Sequence, residues 1–250
     1  MRLAVISDTH GNAIAFEAVV SDLRQQSPDA VVFLGDLVMR GPQPVECLDL
    51  LHSLDPLVSV RGNHDNYFSR YRDGSDWLPK NDKDAMNLRQ FMYNKKLLSA
   101  DEQHWIGHLP TEYVFNIEDF QAELYHASPH SLGTIIWPWA TEDELDSLHK
   151  EDSTQMVLFG HIHHAFTRNA KGRLIVNCGS IGLPFDGDNR ASYSIIDIHG
   201  RNISTQIRRV SYDIEKVIRI AKDRSMPDTE LFEQAVRKAV FTYSFNKSAV

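Results

Sequence analysis

Five short segments of the sequence each place an aspartate, asparagine or histidine directly after an apolar run. They are Ile6-Ser-Asp8-Thr-His10, Gly35-Asp36, Gly62-Asn63-His64-Asp65, Leu124-Tyr-His126 and Gly160-His161-Ile-His163. Two segments contain i, i+2 pairs, and side chains two apart on an extended chain share one face. Imidazole and carboxylate ligands together suit Mn, Fe, Zn or Co better than an oxygen-preferring ion such as Ca. The pattern therefore predicts a transition-metal site.

Each of these residues taken alone is weak support for such a site. A single histidine at a strand end is more often a packed residue than a ligand, and an aspartate after a strand is often a helix cap. The joint pattern of five such segments carries the prediction. Five other histidines follow no ligand spacing, and we predict no chemical role for them: His52, His104, His108, His149 and His199.

The first 62 residues predict the elements that position the early motifs. Apolar runs predict strands over 3–6, 30–34 and 57–60, and helices over 13–25 and 42–54 lie between them. This β-α-β-α-β order indicates parallel strands with right-handed crossovers. Ligands bind beyond the carboxyl ends of the strands in such sheets, and Asp36 follows the second strand there.

Residues 66–110 have a different composition, rich in Tyr, Asp, Arg, Lys and Asn. A helix is predicted over 82–98, and Ser99 with Glu102 forms a capping-box pattern that begins another. We predict a helical insertion that leans over the site. A surface elaboration without a role in substrate binding is the alternative, and the pattern does not decide between them.

The second half of the chain returns to strands. They are predicted over 113–117 and 120–125, joined as a hairpin at Glu118-Asp119, and then over 156–159, 174–177, 192–198 and 202–209. Helices are predicted over 141–149, 211–223 and 228–245, and Trp137-Pro-Trp139 is predicted to form a rigid aromatic loop. We predict a single domain over 1–250, with the insertion at 66–110 and C-terminal helices within 211–246.

Composition narrows the class of protein. A net charge of −8 argues against nucleic acid as a partner, because phosphate backbones bind basic surfaces. Two cysteines are too few for a disulfide framework and fit a reducing compartment. No apolar run approaches the ~20 residues of a membrane helix, and the N-terminal run is too short for a signal peptide. We therefore predict a cytoplasmic protein with no membrane partner; no feature indicates its oligomeric state.

The five motifs together resemble the signature of the calcineurin-like metallophosphoesterase superfamily. The run from Asn177 to Tyr193 is similar to that of its smaller bacterial and archaeal phosphodiesterase branch, and the resemblance covers about residues 1–198. We accordingly predict an α/β fold, a four-layer α-β-β-α sandwich of two mixed sheets with a helical insertion near 66–110. The site would lie at the strand ends.

The resemblance implies two divalent transition-metal ions, with Mn as the first choice and Fe, Zn, Co or Ni as alternatives. The first ion would be bound by Asp8, His10 and His163, the second by Asn63, His126 and His161, and Asp36 would bridge both. A hydroxide held between the metals would attack phosphorus directly. His64 would donate a proton to the leaving oxygen, or alternatively would only orient its neighbours.

Arg40 resembles the phosphate-binding arginine in the Gly-Asp-x-Val-Asp-Arg-Gly motif of serine/threonine protein phosphatases, and we predict a catalytic role for it. A surface residue is the alternative. Met39 stands where that motif has an aspartate that pairs with the histidine corresponding to His64. This departure argues against a protein phosphatase. We predict a structural role for Asp186, Asp188 and Arg190.

The sequence thus predicts a metal-dependent phosphoesterase acting on a phosphodiester or phosphoanhydride of a small, nucleotide-like substrate. A phosphomonoesterase or serine/threonine protein phosphatase is one alternative, and a non-catalytic metal-bound scaffold is another. A nuclease has less support because the net charge is acidic.

Overall fold

Two five-stranded mixed sheets form the centre of the computed structural model, which describes residues 1–117, 120–200 and 202–241. The strands are β1 (Arg2–Ile6), β2 (Ala30–Phe33), β3 (Val58–Ser59), β4 (Glu112–Ile117), β5 (Phe120–Tyr125), β6 (Met156–Phe159), β7 (Phe166–Ala170), β8 (Arg173–Asn177), β9 (Ala191–His199) and β10 (Asn202–Val210). The first sheet has the order β10-β9-β1-β2-β3, and the second has the order β4-β5-β6-β8-β7.

Both sheets combine parallel and antiparallel pairs, but only the second has antiparallel strands at both edges. In the first, β1 pairs in parallel with β2 and β2 with β3, while β9 pairs antiparallel with both β1 and β10. In the second, β5, β6 and β8 are parallel, and β4 and β7 are the antiparallel edge strands. The carboxyl ends of the parallel strands therefore lie at one edge of each sheet, where the predicted ligands follow.

Several of the helices begin at a residue whose side chain caps the first turn. The helices are α1 (Ala13–Gln26), α2 (Pro44–Ser53), α3 (Tyr67–Arg70), α4 (Asp82–Leu97), α5 (Ala100–Gly107), α6 (Glu142–Asp146), α7 (Ile214–Asp223) and α8 (Thr229–Lys238). The Asn12 side chain accepts from the Ala15 N–H at the start of α1, and capping boxes begin α5 at Ser99 and α6 at Thr141.

Alternating side chains of the strands divide the core into layers. On β1, Leu3 and Val5 face the second sheet and pack in one cluster with residues such as Leu124 and Leu158. The intervening residues of β1 face outward, in a cluster with apolar residues of α1 and α2. The outer face of the second sheet is covered by Leu145 of α6 and by Leu148, which follows that helix. The predicted four-layer α-β-β-α sandwich is confirmed.

Some elements differ from the prediction. Strand β7 was not predicted, because only its first and last residues are buried and its polar centre shows no clean alternation. The helix predicted over 141–149 ends at Asp146. The first C-terminal helix begins only at Ile214, after the capping residue Asp213, and the second ends at Lys238 because Ala239 has φ of +50°. The hairpin turn at 118–119 and the last predicted helical residues, 242–246, lie outside the described residues.

Candidate metal centre

The loops after β1 and β2 are joined by their backbones. The Asp8 N–H donates to the Gly35 carbonyl at 2.9 Å, and the His10 N–H donates to the Asp36 carbonyl at 3.1 Å. Across the two sheets, the His161 N–H donates to Asp8 Oδ2 at 3.1 Å. These hydrogen bonds fix the spacing of three motifs that are far apart in the sequence.

Six of the nine predicted site residues have left-handed backbone conformations. Their φ values lie between +47° and +72°, and they are Asp8, His10, Asp36, Arg40, His161 and His163. Non-glycine residues adopt this region uncommonly, at a cost of about 1–3 kcal/mol each, and they concentrate at functional sites. The surrounding fold therefore holds these loops in conformations that their sequences do not favour locally.

Asp8, His10 and His163 form the first group of candidate ligands, and all three side chains are buried. The Nε2 atoms of His10 and His163 are 3.2 Å apart, and His163 Nε2 is 3.1 Å from Asp8 Oδ1. Nitrogen and oxygen ligands about 2.1 Å from one cation lie roughly 3 to 3.5 Å from one another. The spacing of this group therefore fits a single bound cation.

Asn63, His126 and His161 form the second group. His126 Nε2 lies 3.0 Å from Asn63 Oδ1 and 3.2 Å from His161 Nδ1. Asp36 lies between the groups, because its Oδ2 is 3.6 Å from His10 Nε2 and 3.5 Å from His126 Nε2. A carboxylate in this position can reach a cation in either group.

Hydrogen bonds orient two of the imidazoles. His126 Nδ1 lies 2.8 Å from the Leu34 carbonyl oxygen, and His163 Nδ1 lies close to the Leu183 carbonyl oxygen. Because a carbonyl oxygen only accepts, each Nδ1 must carry the proton, which leaves the Nε2 lone pair directed at the cluster. Backbone carbonyls commonly orient metal-binding histidines in this way.

The protonation states of these side chains also suit metal binding. Burial lowers the pKa of His10 to about 4 and that of His161 to about 3, so both imidazoles are neutral near pH 7. Burial and the neighbouring Asp65 and Asp8 raise the pKa of Asp36 well above its usual range. Clustered carboxylates with neutral imidazoles favour nearby cations, so the donor set fits two divalent transition-metal ions.

The sequence motif includes Asp65 but predicts no role for it. In the structure its side chain makes several hydrogen bonds to backbone groups. Its carboxylate accepts from the backbone N–H groups of Asp36 at 2.7 Å, Leu37 at 3.0 Å and Gly62 at 2.9 Å. A Cβ on Gly62 would lie only 2.0 Å from Asp36 Oδ1. The hydrogen bonds of Asp65 and the absence of a side chain at Gly62 therefore determine the position of Asp36.

A cavity of about 450 Å³ opens over the cluster, and His10, Asp36, Asn63, His161 and His163 form its floor. His126 lies beneath this floor, fully buried. His64 also lines the cavity, with its ring centroid 5.3 Å from that of His10. Within the described residues, the buried His64 Nδ1 has no hydrogen-bond partner.

One wall of the cavity comes from Arg40 and the helical insertion, which contributes Tyr67, Lys83 and Asn87. Arg40 is only 4% exposed, and its Nη2 donates to Asn87 Oδ1 at 2.9 Å. Asn87 in turn donates to the Tyr67 hydroxyl at 3.2 Å. The alternative of Arg40 as a surface residue is therefore wrong, and the insertion forms part of the cavity.

Comparisons with known proteins agree with this geometry. The sequence model of the calcineurin-like phosphoesterase superfamily domain matches residues 1–201. An uncharacterised protein of Methanocaldococcus jannaschii is 31% identical over 238 residues, which cover 89% of this chain and 93% of that protein. A symmetrical bis(5'-nucleosyl)-tetraphosphatase of Aliivibrio salmonicida is 29% identical over 168 residues, 60% of this chain and 61% of that enzyme.

Among solved structures, a metallophosphoesterase from Sphaerobacter thermophilus superposes with a TM-score of 0.71 at 26% sequence identity. The match covers 96% of this chain and 99% of the other. No helix within the described parts of the chain has the length and apolar character needed to cross a bilayer.

Proposed function

The chain belongs to the calcineurin-like phosphoesterase superfamily, a family of metal-dependent hydrolases of phosphate esters, and we propose that it hydrolyses a phosphodiester or phosphoanhydride of a small, nucleotide-like substrate. The similarity to a symmetrical bis(5'-nucleosyl)-tetraphosphatase supports this choice of substrate class. The observation that carries the proposal is the convergence of six other candidate ligands around Asp36, in or beneath the floor of one cavity.

Two divalent cations, with Mn²⁺ as the first candidate, would be held by the residues of the two groups, with Asp36 shared between them. Bound in this way, they supply a water-derived nucleophile near neutral pH and neutralise charge on the phosphoryl oxygens. The contribution of the chain is to fix the ligands. Asp65 and the His64 N–H, which donates to Asp36 Oδ1 at 2.8 Å, orient the shared carboxylate.

His64 is proposed as the group that gives a proton to the leaving oxygen. It lines the cavity beside the floor without being needed as a ligand. Burial and the nearby Arg40 guanidinium lower the pKa of His64 well below its usual range, so without substrate the imidazole is neutral near pH 7. A bound phosphate anion would offset the Arg40 charge and favour the protonated imidazole that acts as the acid.

Arg40 is proposed to bind a phosphate oxygen of the substrate. Its guanidinium lines the cavity, and the contact with Asn87 restricts its orientation. A planar guanidinium with several N–H donors matches the geometry of a phosphate group.

The alternatives have less support. A protein phosphatase of the serine/threonine type would pair the proton-donating histidine with an aspartate, but Met39 occupies that position, and His64 Nδ1 has no hydrogen-bond partner among the described residues. A non-catalytic scaffold does not require a proton donor and an arginine beside the metal ligands. A nuclease would need a basic surface, and the net charge is −8.

The test is hydrolysis by the Mn²⁺-loaded protein of bis-p-nitrophenyl phosphate, p-nitrophenyl phosphate and a symmetrical dinucleoside tetraphosphate. We expect the diester or the tetraphosphate to be hydrolysed with a kcat/KM well above that of the monoester. A strong preference for the monoester would contradict the proposal. The same assay with Fe²⁺, Zn²⁺, Co²⁺ and Ni²⁺ tests the choice of Mn²⁺.

A further inference from the structure

Another part of the cavity lining is apolar and aromatic. Its residues are Ile135, Trp137 and His164, which we call the aromatic wall; all three line the cavity. Ile135 is 56% exposed and Trp137 is 38% exposed, so large apolar surfaces face the cavity opening without packing into the core. Exposed apolar surface at the rim of a polar pocket commonly marks a ligand contact.

The rings of this wall are held in fixed relative orientations. The Trp137 ring stacks against that of Trp139, with centroids 5.4 Å apart and planes 6° apart. The His164 ring is nearly perpendicular to that of Trp137, at 5.1 Å and 79°. Trp139 lies outside the cavity, so Trp137 is the tryptophan of this pair that a bound ligand would contact.

The backbone beneath Trp137 is also anchored. Arg168 Nη1 donates to the carbonyls of Pro138 at 3.1 Å and Ala140 at 2.5 Å, and the Ala140 N–H donates to the Trp137 carbonyl at 2.9 Å. A loop that is already ordered loses little conformational entropy when a ligand binds to it. This arrangement suits a preformed binding surface.

The cavity thus offers a cation-binding floor, a polar wall with Arg40 and Lys83, and an aromatic wall. Its volume of about 450 Å³ is in the range of pockets for small ligands. A nucleotide has matching parts, since its phosphate is anionic and its base is flat and aromatic. We propose that Trp137 is a specificity-determining residue that stacks on the nucleobase of the substrate while the phosphate lies on the floor. This inference rests on the proposed function and specifies its substrate.

The test is equilibrium binding of AMP and of ribose 5-phosphate, which lacks the base, to the Mn²⁺-loaded protein. Stacking of one base on an aromatic side chain changes affinity by about 5- to 150-fold. We expect Trp137→Ala to weaken AMP binding by such a factor and to leave ribose 5-phosphate binding unchanged. Trp137→Phe should retain most of the AMP affinity. Trp139→Phe, which keeps an aromatic ring against Trp137 but outside the cavity, should bind AMP nearly as wild type does.

Three results would overturn the inference. The first is wild-type protein that binds AMP no more tightly than ribose 5-phosphate. The second is equal weakening of AMP binding by Trp137→Ala and Trp139→Phe, which would indicate that the effect is not specific to Trp137. The third is equal weakening of phenyl phosphate binding by Trp137→Ala, which would indicate contact with a ring next to the phosphate, as in a phosphotyrosine.

The proposed function is judged separately, by turnover of a diester without an aromatic group, such as glycerophosphoethanolamine. Wild-type protein that discriminates AMP through Trp137 but does not hydrolyse phosphate esters would support the stacking residue and contradict the proposed reaction. If the protein hydrolyses the diester but gives any of the three results above, the proposed reaction would be supported and the stacking role of Trp137 would be contradicted.

Discussion

The floor and the walls of the cavity are built differently. The floor consists of buried or partly buried side chains on loops at strand ends, and all of them except Asn63 have left-handed backbone conformations in loops joined by hydrogen bonds. The walls consist of longer, more exposed side chains such as Lys83 and Trp137, carried by an insertion and a surface loop. Under the proposed function, the floor would act on any phosphoryl group, whereas the walls would distinguish one substrate from another. Substitutions in the two regions should therefore have different kinetic effects.

The largest effect is expected for Asp36→Asn, because the shared ligand loses its charge. We expect kcat/KM to fall for diesters and monoesters alike by more than about 10³-fold, beyond the usual effect of one electrostatic contact. Asp22→Asn is a matched control, since Asp22 is paired with Arg208 and does not line the cavity. Comparable activity of Asp36→Asn and Asp22→Asn would remove Asp36 from the mechanism.

His64→Ala tests whether a proton donor lies beside the ligands of the floor. We expect kcat to fall by about 10²- to 10⁴-fold, the usual contribution of general acid catalysis, with metal content unchanged. The measurement pairs steady-state kinetics with metal analysis, and His52→Ala serves as the control. Turnover unchanged from wild type would show that His64 is not the proton donor, and loss of metal would show that it acts through the ligands.

Asp65→Asn tests whether positioning of the floor matters apart from ligation. An amide cannot accept three backbone N–H groups as a carboxylate does, so Asp36 should become less well ordered. Loss of such a supporting contact typically weakens metal binding by about 10- to 100-fold. We expect activity to recover at high Mn²⁺ concentration. Circular dichroism checks folding, and activity independent of Mn²⁺ concentration would contradict the positioning role.

The smallest effect is expected at Asp188, which does not line the cavity. The hydrogen bond from Arg190 lowers the pKa of Asp188 to about 2. Because the folded-state pKa is depressed, the ionised carboxylate stabilises the fold above the unfolded pKa of ~3.9, and this stability is lost as the pH falls towards 2.

Thermal unfolding of wild type and Asp188→Asn from pH 7 to pH 2 measures this contribution. We expect a slightly lower Tm for the variant at pH 7, a difference that narrows below pH 4, and wild-type kcat at pH 7. A Tm difference independent of pH would show that the carboxylate charge is not responsible.

The sequence predicted the floor better than the walls, for a physical reason. Asp8 with His10 and His161 with His163 are close neighbours after apolar strands, so their convergence follows from the strand order and the motif resemblance. The role of Asp65 was missed because its contacts are with backbone N–H groups 28 and 29 residues earlier in the chain. A side-chain pattern does not indicate such contacts.

The walls depend on packing between distant segments. The contact between Arg40 and Asn87 requires α4 of the insertion to lie against the loop after β2, which local periodicity does not predict. Trp137 was noted only as part of a rigid aromatic loop, since nothing in the local sequence indicates which of the two tryptophans faces the cavity. The predicted end of the last helix was also wrong. The amphipathic periodicity of the sequence continues past Ala239, whose left-handed conformation ends the helix.

The most direct test of the account is an anomalous-scattering map from crystals of the protein soaked in Mn²⁺. The account predicts two peaks on either side of the Asp36 carboxylate, one surrounded by Asp8, His10 and His163 and the other by Asn63, His126 and His161. A single peak, no peak, or peaks that do not share Asp36 would contradict it.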